Sequence, residues 1–274
     1  MPTITLRFLA VILLGMFGTA CSSGDSSDTE PTVGSADASI LSAYYGLDEL
    51  PAAVALLCGA ESVGEDGMPV TFSVQLDEDS VSPAVFSVET QSGDVVTPLC
   101  ATLQPADEPL ELRTVLLAGT FGTPDAPPQA VEVVGALKDL AGETLQGLRT
   151  DTITPLEAGP SLLLAERFDA DAAGLAGECP EGTRQVVQMT WEGGVSGPDG
   201  TALGESQRTA VAVALDGGSE VTPIALADDD PDNVVHACLD TSDTPQSIAV
   251  TAGFFHDPGN DPNPSTEIDV VEGG

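Results

Sequence analysis

The chain repeats its own order of motifs, and this internal duplication is the feature that most restricts how it can fold. Four landmarks recur in the same order in the two halves. The first landmark is Ser39–Ala43 followed by Cys58, which matches Ser161–Ala165 followed by Cys179. The second matches Phe86–Pro98 to Val211–Pro223, and the third matches Cys100 to Cys238. The fourth is Ala118–Phe121 followed by Val131–Val134, which matches Ala252–Phe255 followed by Ile268–Val271. Two structural units are therefore predicted, at residues 39–160 and 161–274, each long enough for a domain with its own core.

Within each unit, apolar residues alternate with polar ones, as in a strand that buries one face. Val70–Leu76 and Val211–Leu215 show this alternation clearly. Clusters of Gly, Pro and Asp interrupt such runs at roughly 8 to 12 residues, the spacing typical of an antiparallel sandwich. Helical periodicity is nearly confined to Asp48–Leu57. The sequence predicts an all-β protein of two tandem antiparallel β-sandwiches.

Short motifs in the first unit are similar to those of a known family. Phe72–Val81 contains a strand and an acidic turn, Phe86–Gly93 a hairpin, and Lys138–Gly142 a closing turn followed by Glu143. These motifs resemble the bacterial Ig-like domains of the SbsA surface-layer type, whose closing turn reads Asp-x-x-Gly-Asn. The resemblance implies an Ig-like fold for the first unit. The internal repeat extends that fold to the second unit, in which no closing turn is evident.

Four cysteines follow Cys21, and four cysteines allow three disulfide connectivities. A duplicated domain should carry its own bridge, so the repeat favours Cys58 with Cys100 and Cys179 with Cys238. No Cys-x-x-Cys motif occurs, which favours structural bridges over redox catalysis. Such bridges persist outside the cytosol.

The N-terminus has the pattern of an export signal. Arg7 precedes an apolar run at Phe8–Phe17, and Gly18-Thr19-Ala20-Cys21 leads into a Ser/Asp-rich segment. This ending resembles the lipobox of bacterial lipoproteins, which implies a signal peptide at 1–20, lipidation of Cys21 and a flexible tether at 21–38. Ser22 after the cysteine resembles the outer-membrane default. Ordinary secretion with an unmodified cysteine is the alternative.

The charge is strongly negative, with 44 acidic and 7 basic residues and a formal net charge of −37. Proteins bind nucleic acids and anionic lipid surfaces chiefly through Lys and Arg, so nucleic acid is excluded as a partner. An acidic surface attracts divalent cations, and it also suits a saline environment without any specific partner.

No catalytic motif stands out from the sequence. His236 and His256 lack zinc-ligand spacing, and neither a nucleophile elbow nor a phosphate-binding glycine loop occurs. Trp191 aligns with Phe72, which favours a core position over a sugar-stacking platform. No catalytic residue is predicted.

Acidic loops in the second unit suggest calcium, because clustered Asp and Asn supply the oxygen ligands that it prefers. The candidate ligands are Asp228, Asp230, Asp232, Asp257, Asn260 and Asp261. Neither loop has EF-hand spacing, and the same residue types also form solvated turns. No other cofactor is predicted.

These observations favour a cell-envelope lipoprotein, a non-catalytic binding, scaffold or adhesion module held at the membrane by its lipid. Envelope proteins or glycans are the predicted partners, contacted through loops. The alternative is an accessory or catalytic envelope enzyme that acts on glycans or peptides through acidic residues of the second unit.

Overall fold

The computed structural model is all-β and contains two β-sandwiches, which confirms the predicted fold class. It describes residues 38–47, 49–155, 157–175, 179–227 and 232–273. The signal peptide predicted at 1–20, Cys21 and the tether up to residue 37 lie outside the described residues. Asp228 and Asp230 lie outside them as well.

Sandwich 1 consists of nine strands in two sheets. The strands are β1 (Ile40–Tyr44), β2 (Asp66–Phe72), β3 (Phe86–Thr90), β4 (Val95–Val96), β5 (Cys100–Thr102), β6 (Thr114–Gly119), β7 (Pro128–Val133), β8 (Arg149–Thr150) and β9 (Ile153–Thr154). One sheet has the order β5-β6-β2-β1-β9 and the other β4-β3-β7-β8. All pairings are antiparallel except that of β1 with β9.

Sandwich 2 has the same nine strands in the same arrangement. They are β10 (Leu162–Asp169), β11 (Gln185–Trp191), β12 (Val211–Leu215), β13 (Glu220–Val221), β14 (Ala225–Ala227), β15 (Val234–Leu239), β16 (Pro245–Val250), β17 (Thr266–Asp269) and β18 (Val271–Glu272). The sheets have the orders β14-β15-β11-β10-β18 and β13-β12-β16-β17. The α-helices among the described residues are short, at Ala55–Cys58 (α1) and Glu205–Thr209 (α2).

Each sandwich has a separate apolar core built from the inward positions of its strands. In sandwich 1, Phe72 and Phe86 are fully buried, and in sandwich 2, Trp191 and Phe255 are. The ring centroids of Trp191 and Phe255 lie 4.7 Å apart. Trp191 is therefore a core residue, as predicted, and has no surface for stacking a sugar.

The strand registers confirm the first half of the repeat alignment and correct the second. Phe72 and Trp191 end equivalent strands, since Ile40 pairs with Phe72 and Leu162 with Trp191. Cys100 lies on β5, however, whereas Cys238 lies on β15, the equivalent of β6. The match of Ala118–Phe121 to Ala252–Phe255 is also wrong, because the first segment covers the end of β6, whereas the second follows β16, the equivalent of β7.

The closing turn is present in both sandwiches, contrary to the sequence analysis. In sandwich 1, the Glu143 backbone N–H donates to Asp139 Oδ1 at 2.8 Å. In sandwich 2, the Asp261 backbone N–H donates to Asp257 Oδ1 at 2.7 Å. In both turns, the backbone N–H of the leading aspartate donates to the carbonyl oxygen four residues later, and its own carbonyl oxygen accepts from the N–H three residues later. Asn260 takes a positive φ of 68° where Gly142 has 84°, and asparagine is among the residues that tolerate this conformation.

The central strands are buried on both faces, which the alternating pattern did not predict. All seven residues of β11 and six of the seven in β2 are buried. Their inward side chains pack in the cores, and outward ones such as Thr71 and Gln188 lie in the polar contact with the other sandwich. Residues 37–274 accordingly form one compact unit.

Candidate functional site

The two predicted disulfides are present, one in each sandwich. Cys58 bonds Cys100 and Cys179 bonds Cys238, with Cα–Cα distances of 5.4 and 5.8 Å. Each bridge holds a loop against its five-stranded sheet, next to a small apolar cluster. Within a sandwich, the bridge therefore joins segments that are 42 or 59 residues apart in the sequence.

A buried polar layer joins the two sandwiches, and its contacts are reciprocal. The loop before β6 supplies Glu111 and Arg113 to strands of sandwich 2. The equivalent loop before β15 supplies Asn233, whose Nδ2 donates to Thr114 Oγ1 at 2.9 Å. Each sandwich thus places the same loop on the other, as expected of two copies that pack about an approximate two-fold axis.

One side of the layer contains a buried ion pair. Arg113 Nη2 donates to Glu166 Oε2 at 2.6 Å, and the two side chains are 3% and 10% exposed. Burial lowers the pKa of Arg113, and Glu166 offsets only part of this effect. Burial also raises the pKa of Glu166 above its ordinary value, and Arg113 again offsets only part. For both groups the loss of hydration outweighs the attraction between them.

On the other side, the Glu192 carboxylate connects three segments. Its Oε1 accepts from Ser42 Oγ at 2.9 Å and from Thr154 Oγ1 at 2.7 Å. Its Oε2 accepts from the Ser161 backbone N–H at 2.9 Å. Glu192 therefore ties the neighbouring strands β1 and β9 of sandwich 1, and the residue before β10, to the end of β11.

Tyr44 fills the space beside Glu192. Its hydroxyl lies 2.7 Å from Asp257 Oδ2 and 2.7 Å from the Ala158 carbonyl oxygen, both of which can accept its hydrogen. Burial, together with the Asp257 carboxylate, raises the pKa of Tyr44. A Cβ on Gly193 would lie 2.6 Å from the tyrosine ring, so glycine is required there for the ring to pack.

Three carboxylates converge at the edge of the polar layer. Oxygens of Glu108, Glu111 and Asp232 lie within 4.8 Å of one another, and the latter two side chains are buried. His236 is also buried there, with its Nε2 3.6 Å from Glu111 Oε1 and 3.1 Å from Gln188 Nε2. Glu108 and Glu111 were not predicted from the sequence, because the acidic residues of the second unit alone drew attention. The two glutamates lie in the loop 103–113, which is the longer equivalent of the loop 228–233 that contains Asp232.

The structure divides the predicted calcium ligands into two places. Asp232 lies with Glu108 and Glu111, and its Oδ1 accepts from the Val234 backbone N–H at 2.6 Å. Asp257, Asn260 and Asp261 instead form the closing turn of sandwich 2. The Asn260 side-chain oxygen accepts from the Asp199 backbone N–H at 2.7 Å. Calcium binding at these residues stays a prediction.

A cleft of about 490 Å³ lies at one edge of sandwich 1. Its wall includes Tyr45, two prolines of the loop between β6 and β7, which are Pro124 and Pro127, and Pro128 at the start of β7. Ile153 and Pro155 line it from the edge of β9, and Asp66 and Glu157 bring two carboxylates. The volume falls within the range of small-molecule and peptide side-chain sites.

Fold and site together define an all-β, disulfide-linked protein of two β-sandwiches fused through a polar layer. No protein-family model and no curated protein matches the chain. Among solved structures, the chain is similar to surface layer protein SbsC, domains 1-6, and to the S-layer protein rSbsC(31-844), with 13% and 12% identity and a TM-score of 0.28 in each case.

The overlap covers 86% of this chain and 41% of each of those chains, so the chain spans less than half of their length. At this TM-score the overlap supports neither a shared fold nor a shared function. Within the described residues, no helix is long and apolar enough to cross a membrane.

Proposed function

We propose that this protein is a lipid-anchored, non-catalytic component of the bacterial cell envelope, in which the fused sandwiches form a rigid binding or spacing body. The observation that carries the proposal is the buried polar layer, which fixes the two disulfide-bonded sandwiches in one orientation. Such a body can hold its surface loops in a fixed arrangement relative to one another.

Four features support this assignment. The sequence pattern at 1–21 is that of an exported lipoprotein, and two disulfides suit a compartment outside the cytosol. The side chains most suited to catalysis or sugar stacking, His236 and Trp191, are 3% and 0% exposed and serve the interface and the core. The closing turn in both sandwiches strengthens the resemblance to surface-layer Ig-like domains that was noted for the first.

The anchor is tested by expressing the full chain and its Cys21→Ser variant in a bacterium with lipoprotein processing. Palmitate labelling should mark the native chain, which should sediment with outer membranes. The variant should be unlabelled and released as a soluble exported protein. A native chain that is exported but unlabelled would show that the anchor is absent.

The binding role is tested on the anchored chain in intact cells. Crosslinking from an exposed loop position should give discrete adducts with envelope components. The same crosslinker at Ser87, a partly buried residue within β3, serves as the comparison position. The same diffuse pattern from both positions would contradict a specific binding role.

A further inference from the structure

The cleft at the edge of sandwich 1 is preformed. Thr123 and Ala126 close a tight loop through two backbone hydrogen bonds, of 3.1 and 2.9 Å. The prolines of this loop have φ fixed by their rings, so the wall loses little conformational freedom when a ligand enters. A rigid wall of this kind favours binding, since little ordering opposes it.

The chemistry of the wall selects for hydrogen-bond donors and positive charge. Four of the lining residues are prolines, which have a carbonyl acceptor but no N–H donor. Asp66 and Glu157 add two carboxylates, and no Lys, Arg or His is among the described residues that line the cleft. The chain as a whole carries a net charge of −37, which draws cations toward it.

The shape of the wall favours an extended polypeptide. The proline side chains and the Tyr45 ring give the wall an apolar surface, and aromatic-lined grooves take up extended, proline-rich segments. The two carboxylates complement a basic side chain on such a segment. The tyrosine face can also attract a cation directly. We propose that the cleft binds a lysine- or arginine-bearing segment of an extended polypeptide, a proposal that rests on the binding role proposed above and names the class of its partner.

The test uses the full chain and a labelled proline-rich peptide that carries one lysine, followed by fluorescence anisotropy at physiological salt. A matched peptide has norleucine in place of lysine, which keeps the aliphatic chain and removes the charge. Glu157→Gln removes one carboxylate from the cleft rim. Glu220→Gln makes the same change at an exposed site of sandwich 2 and serves as its control.

We expect saturable binding of the lysine peptide at one site, and binding of the norleucine peptide that is at least about tenfold weaker. Glu157→Gln should weaken binding by about threefold, the effect of one exposed ion pair, and Glu220→Gln should leave it unchanged. Equal losses in the two variants would show general attraction to an acidic surface. The proposal would be overturned by equal losses in the two variants, by equal binding of the two peptides, or by binding that does not saturate. None of these results alters the palmitate and sedimentation tests of the anchor.

Discussion

Replacing Arg113 by leucine would leave the Glu166 carboxylate in the polar layer without its ion-pair partner. The two side chains are 3% and 10% exposed, so water screens little of this pair. Breaking a buried pair from one side costs about 3–5 kcal/mol, because the remaining charge stays desolvated. We therefore expect Arg113→Leu to lower the free energy of unfolding by about that amount.

The double variant Arg113→Met with Glu166→Leu gives the sharper result. It removes both desolvation penalties, and it also removes Arg113 Nε and Nη1, which are buried without a hydrogen-bond partner among the described residues. Apolar replacement of a buried pair is often neutral or stabilising. The double variant should therefore lie within about 1 kcal/mol of the native chain, or above it.

Urea unfolding monitored by Trp191 fluorescence and by circular dichroism measures both variants. Glu205→Gln, which removes the charge of a 74% exposed carboxylate paired with Arg208, is the control for an exposed ion pair and should have little effect. Equal slopes with denaturant would show that stability alone has changed. A double variant as unstable as Arg113→Leu would refute the reasoning, since it would mean that apolar side chains cannot replace the pair.

Four further predictions concern the same body. Burial raises the pKa of Glu166, so the protonated side chain stabilises the fold below its ordinary pKa of 4.5. This stabilisation is lost as the pH rises through the pKa of Glu166 in the folded protein, and Glu166→Gln should flatten the resulting fall in melting temperature across a pH series. Replacing Cys179 and Cys238 by serine should lower the unfolding free energy by about 4 kcal/mol in the chain-entropy model, measured by urea unfolding. Asp257→Asn weakens the acceptor of the Tyr44 hydroxyl and should cost about 1–2 kcal/mol equally in calcium and in EDTA; a loss seen in calcium alone would instead favour a metal ligand. Raising sodium chloride should raise the melting temperature by several degrees, because it screens the repulsion among the 44 acidic residues.

The alternating pattern predicted the strands correctly but not what covers their outer faces. Thr71, a polar residue of the alternating run Val70–Leu76, was expected to face solvent but is buried, and so are Gln188 and His236 on the central strands of sandwich 2. Alternation records only that one face is polar. A polar face looks the same in sequence whether water or the polar face of another domain covers it, so the interface between the sandwiches could not be predicted.

The disulfides were predicted correctly from an alignment that was partly wrong. Cys100 and Cys238 lie on strands that are not equivalent, since Cys100 pairs across the sheet with Ala118, and Ala225 with Cys238. The pairing still held because neighbouring strands are close enough for a bridge from the same loop to reach either one. The prediction required only that each domain keep its own bridge.

The closing turn of sandwich 2 was missed because its residues also suit a calcium loop. Asp257 through Asp261 are Asp, Pro, Gly, Asn and Asp, whereas the turn in sandwich 1 reads Asp, Leu, Ala, Gly and Glu. The shared property is a leading aspartate that accepts the backbone N–H four residues later. A comparison of residue types does not show this hydrogen bond, whereas the structure does.

The polar character of the layer between the sandwiches bears on the role of the whole body. An apolar interface could hold the sandwiches together at least as well, because ion pairs such as Arg113 with Glu166 lose much of their attraction to desolvation. Directional hydrogen bonds instead restrict the orientations in which every buried group has a partner. Glu192 accepts two of them across the layer, from Ser42 and Thr154, and a rotation of one sandwich would break both together. A fixed orientation suits the binding or spacing role proposed above, and we infer that the layer is retained for orientation more than for stability.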